Sequence, residues 1–289
     1  MKFLRYGPPG AERPAVLVPG SDHLALDLSD VTSDVDGVFL ANGGAARVAE
    51  LVADGARKPV DLTGERIGPP IARPSAIYGI GLNYRDHAAE AGLELPTEPV
   101  VFTKPPNSLV GPTDPIVIPP GATQVDWEVE LGVVIGRRAA NLASPEAAND
   151  YIGGYVAVND VSERAWQMAR PGQWIKGKSF ATSNPAGPYL VTPDELPSVG
   201  DLRLKLAVNG ETMQDGTTAD LVFTPDHIIW YLSQFLVLEP GDLIDTGTPA
   251  GIGMRRNPPR FLAAGDVVEL EVAGLGEHRS PVEPFTARS

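Results

Sequence analysis

The chain has 289 residues, 43% of them apolar and 21% charged, with 31 glycines, 29 prolines and a formal net charge of −14. That composition is globular, rich in turns and large enough to bury a core. Its acidity excludes the basic footprint that nucleic acid or an anionic membrane surface demands. No cysteine occurs, which excludes disulfides, thiolate nucleophiles and cysteine-ligated zinc or iron–sulfur sites. The opening MKFLRYGPPG lacks the apolar run of a signal peptide. No stretch reaches the roughly 20 apolar residues of a membrane span, so a cytoplasmic location is expected.

In chain order, short strands are expected at PAVLVPG and HLALDL, then a helix at AARVAELVADG with Gly55 as its C-terminal cap. IGPPIARPS interrupts regular structure, and a boundary near residue 70 divides a small N-terminal domain, 1–70, from a larger domain, 71–289. The larger part opens with a strand entering GIGLNY and a short helix from Tyr84 to Ala91, closed by Gly92. VVFTKPP and PIVIPP are short strands cut by prolines, and QVDWEVELGVVIG is the strongest strand. SPEAANDYI carries Ser144 as N-cap and Pro145 at the first helical position. GGYVAVNDV is a further strand, and DLRLKLAVNGETMQD is a hairpin about Asn209-Gly210. TPDHIIWYLSQFLVLEPGD is the best helix, capped by Thr224, started by Pro225 and stopped by Glu239-Pro240-Gly241. LIDTGTPAGIG and GDVVELEVAGLG return to strand and glycine-rich loop. Strands outnumber the scattered helices, which excludes a doubly wound sheet and predicts an α+β, β-rich roll or barrel.

Asp126, Glu128 and Glu130 alternate in VDWEVELGVVIG, so on a strand they share one face, about 6.6 Å apart per step. Carboxylates with nothing between them repel, and burial sharpens the repulsion. A solvated strand edge shows the same alternation. However, the apolar LGVVIG that follows reads as a central strand covered on both faces, and Asp160 ends a second apolar strand. Glu128, Glu130 and Asp160 at the ends of buried strands suggest an all-oxygen site for Mg²⁺, Mn²⁺ or Ca²⁺ rather than zinc.

There are four histidines. His23 and His278 fall in the N-terminal unit and the polar tail, and His227 near the start of the best helix reads as a packing or surface residue. His87 stands three residues before Glu90, and residues so spaced share a helix face. A carboxylate beside an imidazole fixes its tautomer and raises its basicity, as in a water-activating base; an ordinary surface pair has the same spacing. Gly79 and Gly81 predict a loop that approaches something closely. GIGLNY lacks the third glycine and the βαβ context of a dinucleotide-binding turn.

GIGLNYRDHAAEAG, DWEVELGVVIG, GYVAVNDVSER, KGKSFATSNPAGPYLVT and LSQFLVLEPGDLIDTGTPAGIG stand in the order seen in the fumarylacetoacetate hydrolase family, which the chain resembles over residues 74 to 285. The resemblance implies a mixed β-roll with a few flanking helices, usually a homodimer, and an N-terminal part similar to the small variable domain of many members. It implies that Glu128, Glu130 and Asp160 bind a divalent ion, commonly Mg²⁺ or Mn²⁺, and that His87 and Glu90 activate water. It further implies that Lys178 contacts the reacting oxygen or carbanion, that Gln167 contacts substrate, and that Thr248 touches the substrate's carboxylate end. The segment after His87, up to Pro99, resembles a lid. Two departures matter. Phe180 is followed by Ala181 and Thr182 where many bacterial members have Phe-Asp-Thr, and an extra acidic ligand upstream of the histidine in the name-giving branch has no counterpart. The chain thus resembles the small diketo-acid enzymes, and DHAAEAGLELPTEPVVF is similar to members that cleave sugar-derived 2,4-diketo acids.

The implied reaction is metal-dependent hydrolysis of a C–C bond in a 2,4-diketo acid, either an acylpyruvate or a sugar-derived acid, with release of pyruvate. The cation polarises the carbonyl. Water held by His87 and Glu90 attacks the distal carbonyl, and Lys178 stabilises the oxyanion or helps protonate the carbanion. Oxaloacetate decarboxylation and isomerisation share the enolate and stay open as alternatives. A metal-dependent sugar-acid binding protein is the non-enzymatic alternative, and it would need neither the His87–Glu90 pair nor Lys178.

Overall fold

Val129–Ile135 is apolar at both parities except for Glu130 and Gly132, and every residue in it is buried. That composition fits a strand covered on both faces, and the strand lies inside a large mixed sheet. The computed structural model describes residues 1–170, 172–196 and 198–287. In spatial order the sheet runs Val60–Asp61, Leu24–Asp27, Arg13–Leu17, Lys2–Tyr6, Asn184–Val191, Ile152–Asn159, Val129–Ile135, Leu243–Asp245, Ile77–Gly81 and Val100–Lys104. Neighbours along it are antiparallel except Leu243–Asp245 with Ile77–Gly81, which are parallel. A second sheet runs Glu211–Thr217, Arg203–Val208, Val267–Val272, Gly276–Pro284 and Ile116–Ile118. A core that includes Trp127, Leu131, Val133, Leu206 and Leu270 fills the space between the two sheets. This is the α+β, β-rich mixed roll expected from the sequence.

The expected boundary near residue 70 falls between the strands Ile67–Gly68 and Ile77–Gly81. Lys2–Tyr6 nevertheless hydrogen-bonds to Asn184–Val191, so the first strands extend the main sheet. Phe3, Phe39 and Val48 pack with Val134, Val156 and Leu243 from the larger part, so one core spans the boundary. An ion-pair chain also joins the parts: Glu12 pairs with Arg5 and Arg66, and Arg66 pairs with Asp114.

Most local expectations hold. The helix Gly44–Asp54 ends on Gly55 at φ 65°, where glycine has no side chain to strain. Asn209 and Gly210, at φ 54° and 78°, turn the hairpin. Two expectations need correction. The helix expected to run to Glu239 is confined to Pro225–Ser233. Leu238 leaves it to exchange two backbone hydrogen bonds of 2.9 Å with Ala139, a tertiary pairing that outweighs local helix propensity. The expected continuous strand QVDWEVELGVVIG is broken into Val125–Asp126 and Val129–Ile135. At the break, the N–H of Glu128 donates to Asn159 Oδ1 and that of Val129 to Gln214 Oε1.

Candidate functional site

The break turns Asp126 away from the other two acids. Asp126 accepts from the N–H groups of Trp127, Gly253 and Met254 and from Arg164 Nε. Glu128 sits in the gap, Glu130 is in the strand Val129–Ile135, and Asp160 follows the end of Ile152–Asn159. One carboxylate oxygen from each of Glu128, Glu130 and Asp160 lies within 4.8 Å of the others, and all three side chains are buried. The antiparallel pairing of Val129 with Asn159 brings the two strand ends together.

Three cations answer these acids. Lys178 Nζ donates to Glu128 Oε2 at 2.7 Å and to Asp160 Oδ2 at 2.5 Å. Lys104 Nζ donates to Asp160 Oδ1 and to the Ser183 carbonyl. Arg164 spans Asp126 at 2.9 Å and Glu128 at 2.6 Å. Burial opposes charge on Glu128, but Lys178 and Arg164 outweigh it and hold the carboxyl well below its usual range. Among the described residues no such cation is in contact with Glu130. Burial, then Asp160 and Glu128, push its carboxyl far upward, and the Gly247 N–H donates to it at 2.7 Å. Asp245 lies behind, fully buried, with the Asn184 amide beside it. Burial and the nearby Asp160 push it up to about 8.

Five carboxylates (Asp126, Glu128, Glu130, Asp160 and Asp245) thus surround three cations, leaving two negative charges in a buried space. A divalent cation matches that excess, and the all-oxygen donor set suits a hard ion such as Mg²⁺ or Mn²⁺.

The helix Arg85–Ala91 carries the acid–base pair. His87 Nδ1 lies 3.3 Å from Glu90 Oε2, and Glu90 Oε1 accepts the Gly251 N–H at 3.0 Å. His87, Glu128, Glu130, Lys178, Gln167 and Thr248 all line one cavity of about 100 Å³. Asp160 lies behind Lys178, and Glu90 lies behind His87; neither is part of the cavity wall. Gly79 and Gly81, expected in a loop, lie within the strand Ile77–Gly81. They do meet close neighbours: a Cβ on Gly79 would collide with the Phe102 ring, and one on Gly81 would lie 2.5 Å from Trp174. These two rings form an aromatic wall of the cavity, with centroids 5.8 Å apart.

Gln167 accepts from Arg164 Nη1 at 3.0 Å. The Thr248 hydroxyl donates to the Val129 carbonyl at 2.9 Å and accepts from Gln214 Nε2 at 2.8 Å, so its proton is committed to the protein. His227 packs between the rings of Phe223 and Trp230, away from the acids, as its reading as a packing residue implied. Sequence reasoning missed Arg164, Lys104 and Asp245. Arg164 had a signal, since it follows Asp160 by four residues. Lys104 and Asp245 reach the site only through strand pairing.

The family described as fumarylacetoacetate hydrolase C-terminal matches residues 76–283. A Burkholderia multivorans protein named only as belonging to the hydrolase class is 50% identical over 278 residues, covering 96% of this chain and 97% of its own. The crystal structure of maleylpyruvate hydrolase from Sphingobium sp. SYK-6, in complex with manganese(II) and pyruvate, shares 26% identity and a TM-score of 0.82, covering 99% of this chain and 100% of that one. The 5-carboxymethyl-2-hydroxymuconate delta-isomerase of Mycobacterium smegmatis shares 30% identity and a TM-score of 0.78 over the same shares of the two chains.

Proposed function

The chain belongs to the fumarylacetoacetate hydrolase family, and from that premise we propose that it is a divalent-metal-dependent hydrolase that cleaves a C–C bond in a 2,4-diketo acid and releases pyruvate. The observation that carries this reading is that His87, backed by Glu90, opens onto the same small cavity as Glu128, Glu130 and Lys178. A proton acceptor and a carboxylate cluster of cation-binding type thereby face one substrate.

Glu128, Glu130 and Asp160 would hold Mg²⁺ or Mn²⁺, with Ca²⁺ as a third candidate; the manganese and pyruvate of the Sphingobium enzyme support this choice. When bound, the cation supplies Lewis-acid polarisation of the substrate's 2-oxygen and stabilises the negative charge that forms there. Glu90 orients the His87 ring through Nδ1, which leaves Nε2 to take a proton from water as the water adds to the distal carbonyl. Collapse of the adduct breaks the C3–C4 bond. The electron pair passes to the pyruvate side, and the acyl group departs as a carboxylic acid. An ammonium has three donors; two of those on Lys178 go to Glu128 and Asp160, and the third is available to the substrate oxygen or to the carbanion. Gln167 contacts the substrate beside Arg164, and Thr248 offers it a wall and a lone pair. Every one of these residues falls in 71–289, which we take as the catalytic part, with 1–70 as a smaller N-terminal part that shares its sheet and core. A homodimer and a cytoplasmic location complete the reading. Among the described residues no helix is long and apolar enough to cross a membrane.

The test is pyruvate release from a panel of 2,4-diketo acids and from oxaloacetate, with and without chelator. Chelator-sensitive release from an acylpyruvate is expected. Turnover of oxaloacetate alone would replace the hydrolase by a decarboxylase, and isomerised product without pyruvate would replace it by an isomerase.

A further inference from the structure

Three cations with permanent charge line the cavity: Arg164, Lys178 and Arg255. Arg164 and Lys178 are committed to the acids of the site. Arg255 is exposed at the rim and has no hydrogen bond or ion pair among the described residues, whereas its neighbours Arg256 and Arg260 both pair with Glu211. A solvated surface arginine would look the same if its loop were loose, but this loop is fixed. Arg255 ends the short turn Gly253–Arg255. Asp126, which is buried, accepts the Gly253 N–H at 2.7 Å and the Met254 N–H at 3.1 Å, and the same carboxylate holds Arg164. A Cβ on Gly253 would fall 2.7 Å from Asp126 Oδ1, so the turn is packed onto that anchor. Leu93, Phe102, Met168, Trp174, Ile252 and Met254 line the same cavity and make it largely apolar between its acidic floor and this rim.

We infer that Arg255 is a specificity-determining residue that receives an anionic group at the far end of the substrate's acyl chain. The inference rests on the reading of the cavity as a diketo-acid site and narrows it to substrates with a second, distal carboxylate across a short apolar spacer. A guanidinium with no internal carboxylate forms a charge-assisted pair with such a group at little desolvation cost. In a chain of net charge −14 it is also a local positive point on a surface that otherwise repels dianions.

The test is binding, so that it does not depend on turnover. In the presence of Mg²⁺, 2-oxoadipate and 2-oxohexanoate have the same six-carbon chain and differ in the terminal carboxylate. The wild-type protein is expected to bind 2-oxoadipate about tenfold more tightly. In Arg255→Met that ratio falls to near one, and Arg255→Lys keeps part of it. Equal affinities in the wild type, a preference that survives in Arg255→Met, or failure of both acids to bind overturns the inference. Pyruvate release from an acylpyruvate with a neutral acyl group reports separately on the proposed reaction, and its failure would strike that reading and not the charge preference.

Discussion

Glu90 uses its two oxygens differently: Oε2 lies 3.3 Å from His87 Nδ1, and Oε1 takes the Gly251 N–H at 3.0 Å. The carboxylate therefore ties the ring to the loop that follows the strand Leu243–Asp245, and it sets both the tautomer and the position of His87. Glu90→Gln can keep the Gly251 bond through its amide oxygen but loses the charge that supports an imidazolium. Diketo-acid cleavage should fall ~10²–10⁴-fold, while Mg²⁺ binding measured by calorimetry stays. Full turnover in this variant would remove His87 from the role of base.

Glu128 and Glu130 should behave oppositely once metal is removed. Glu128 is the shared partner of Lys178 and Arg164, so Glu128→Gln leaves two buried cations short of charge. In chelator it should cost about 3–5 kcal/mol, the range for a broken buried ion pair. Repulsion from the neighbouring carboxylates does not offset this cost, because the cations around Glu128 more than cancel it. Glu130→Gln replaces a group that burial and like charges already drive toward protonation, and it should leave stability in chelator unchanged or raised. The wild type should gain stability from Mg²⁺, and both variants should lose that gain. Denaturant unfolding with and without the ion checks all four outcomes.

His278 predicts an acid limb of the stability profile. It is buried, and its Nε2 lies 2.9 Å from the Gly187 carbonyl. Burial pushes its pKa down to about 4 against the usual 6.5. Above pH 6.5 the ring is neutral folded or unfolded, and its contribution is fully present. Between pH 6.5 and 4 the unfolded chain gains a proton that the fold refuses, so stability falls, by about 3 kcal/mol in all. His278→Gln should flatten the profile in that window. Identical profiles for the two proteins would show that the ring charges without penalty.

The helix Arg85–Ala91 is tied at several points. Arg85 donates to the Leu221 carbonyl, the Asp86 N–H to Asp220, and Glu90 accepts from Gly251. The lid expected over the whole segment after His87 is thereby narrowed to the residues beyond Gly92, where Leu93 and Leu95 are exposed and no helix or strand forms before Val100. Hydrogen exchange should be slow over 87–91 and fast over 93–98 in the free protein, with slowing confined to 93–98 when Mg²⁺ and oxalate are added. Exchange over 93–98 that is already slow, or that oxalate leaves unchanged, would remove a closing step from the mechanism.

Sequence alone determined the elements whose signals are local. Gly55, Gly92 and Asn209-Gly210 ended helices and turned the hairpin because their backbone needs are met within a few residues. The His87–Glu90 pair was legible for the same reason, since one helical turn sets its geometry. The spacing of Glu128 and Glu130 suggested a shared cation, but the strand behind that argument is interrupted, and Asp126 serves as an anchor for Arg164 and the Gly253 turn. Tertiary structure decided what joins distant segments. Asn184–Val191 was not legible as a central strand because Pro185 and Pro188 argue against ladder pairing. Its partner Lys2–Tyr6 was missed with it, and so was the continuity of the first 70 residues with the main sheet. Lys104, Arg164 and Asp245 belong to the site only because non-neighbouring strands meet there. The charge balance that would favour a cation among the carboxylates is a sum over segments separated by up to 141 positions, and no local pattern carries such a sum.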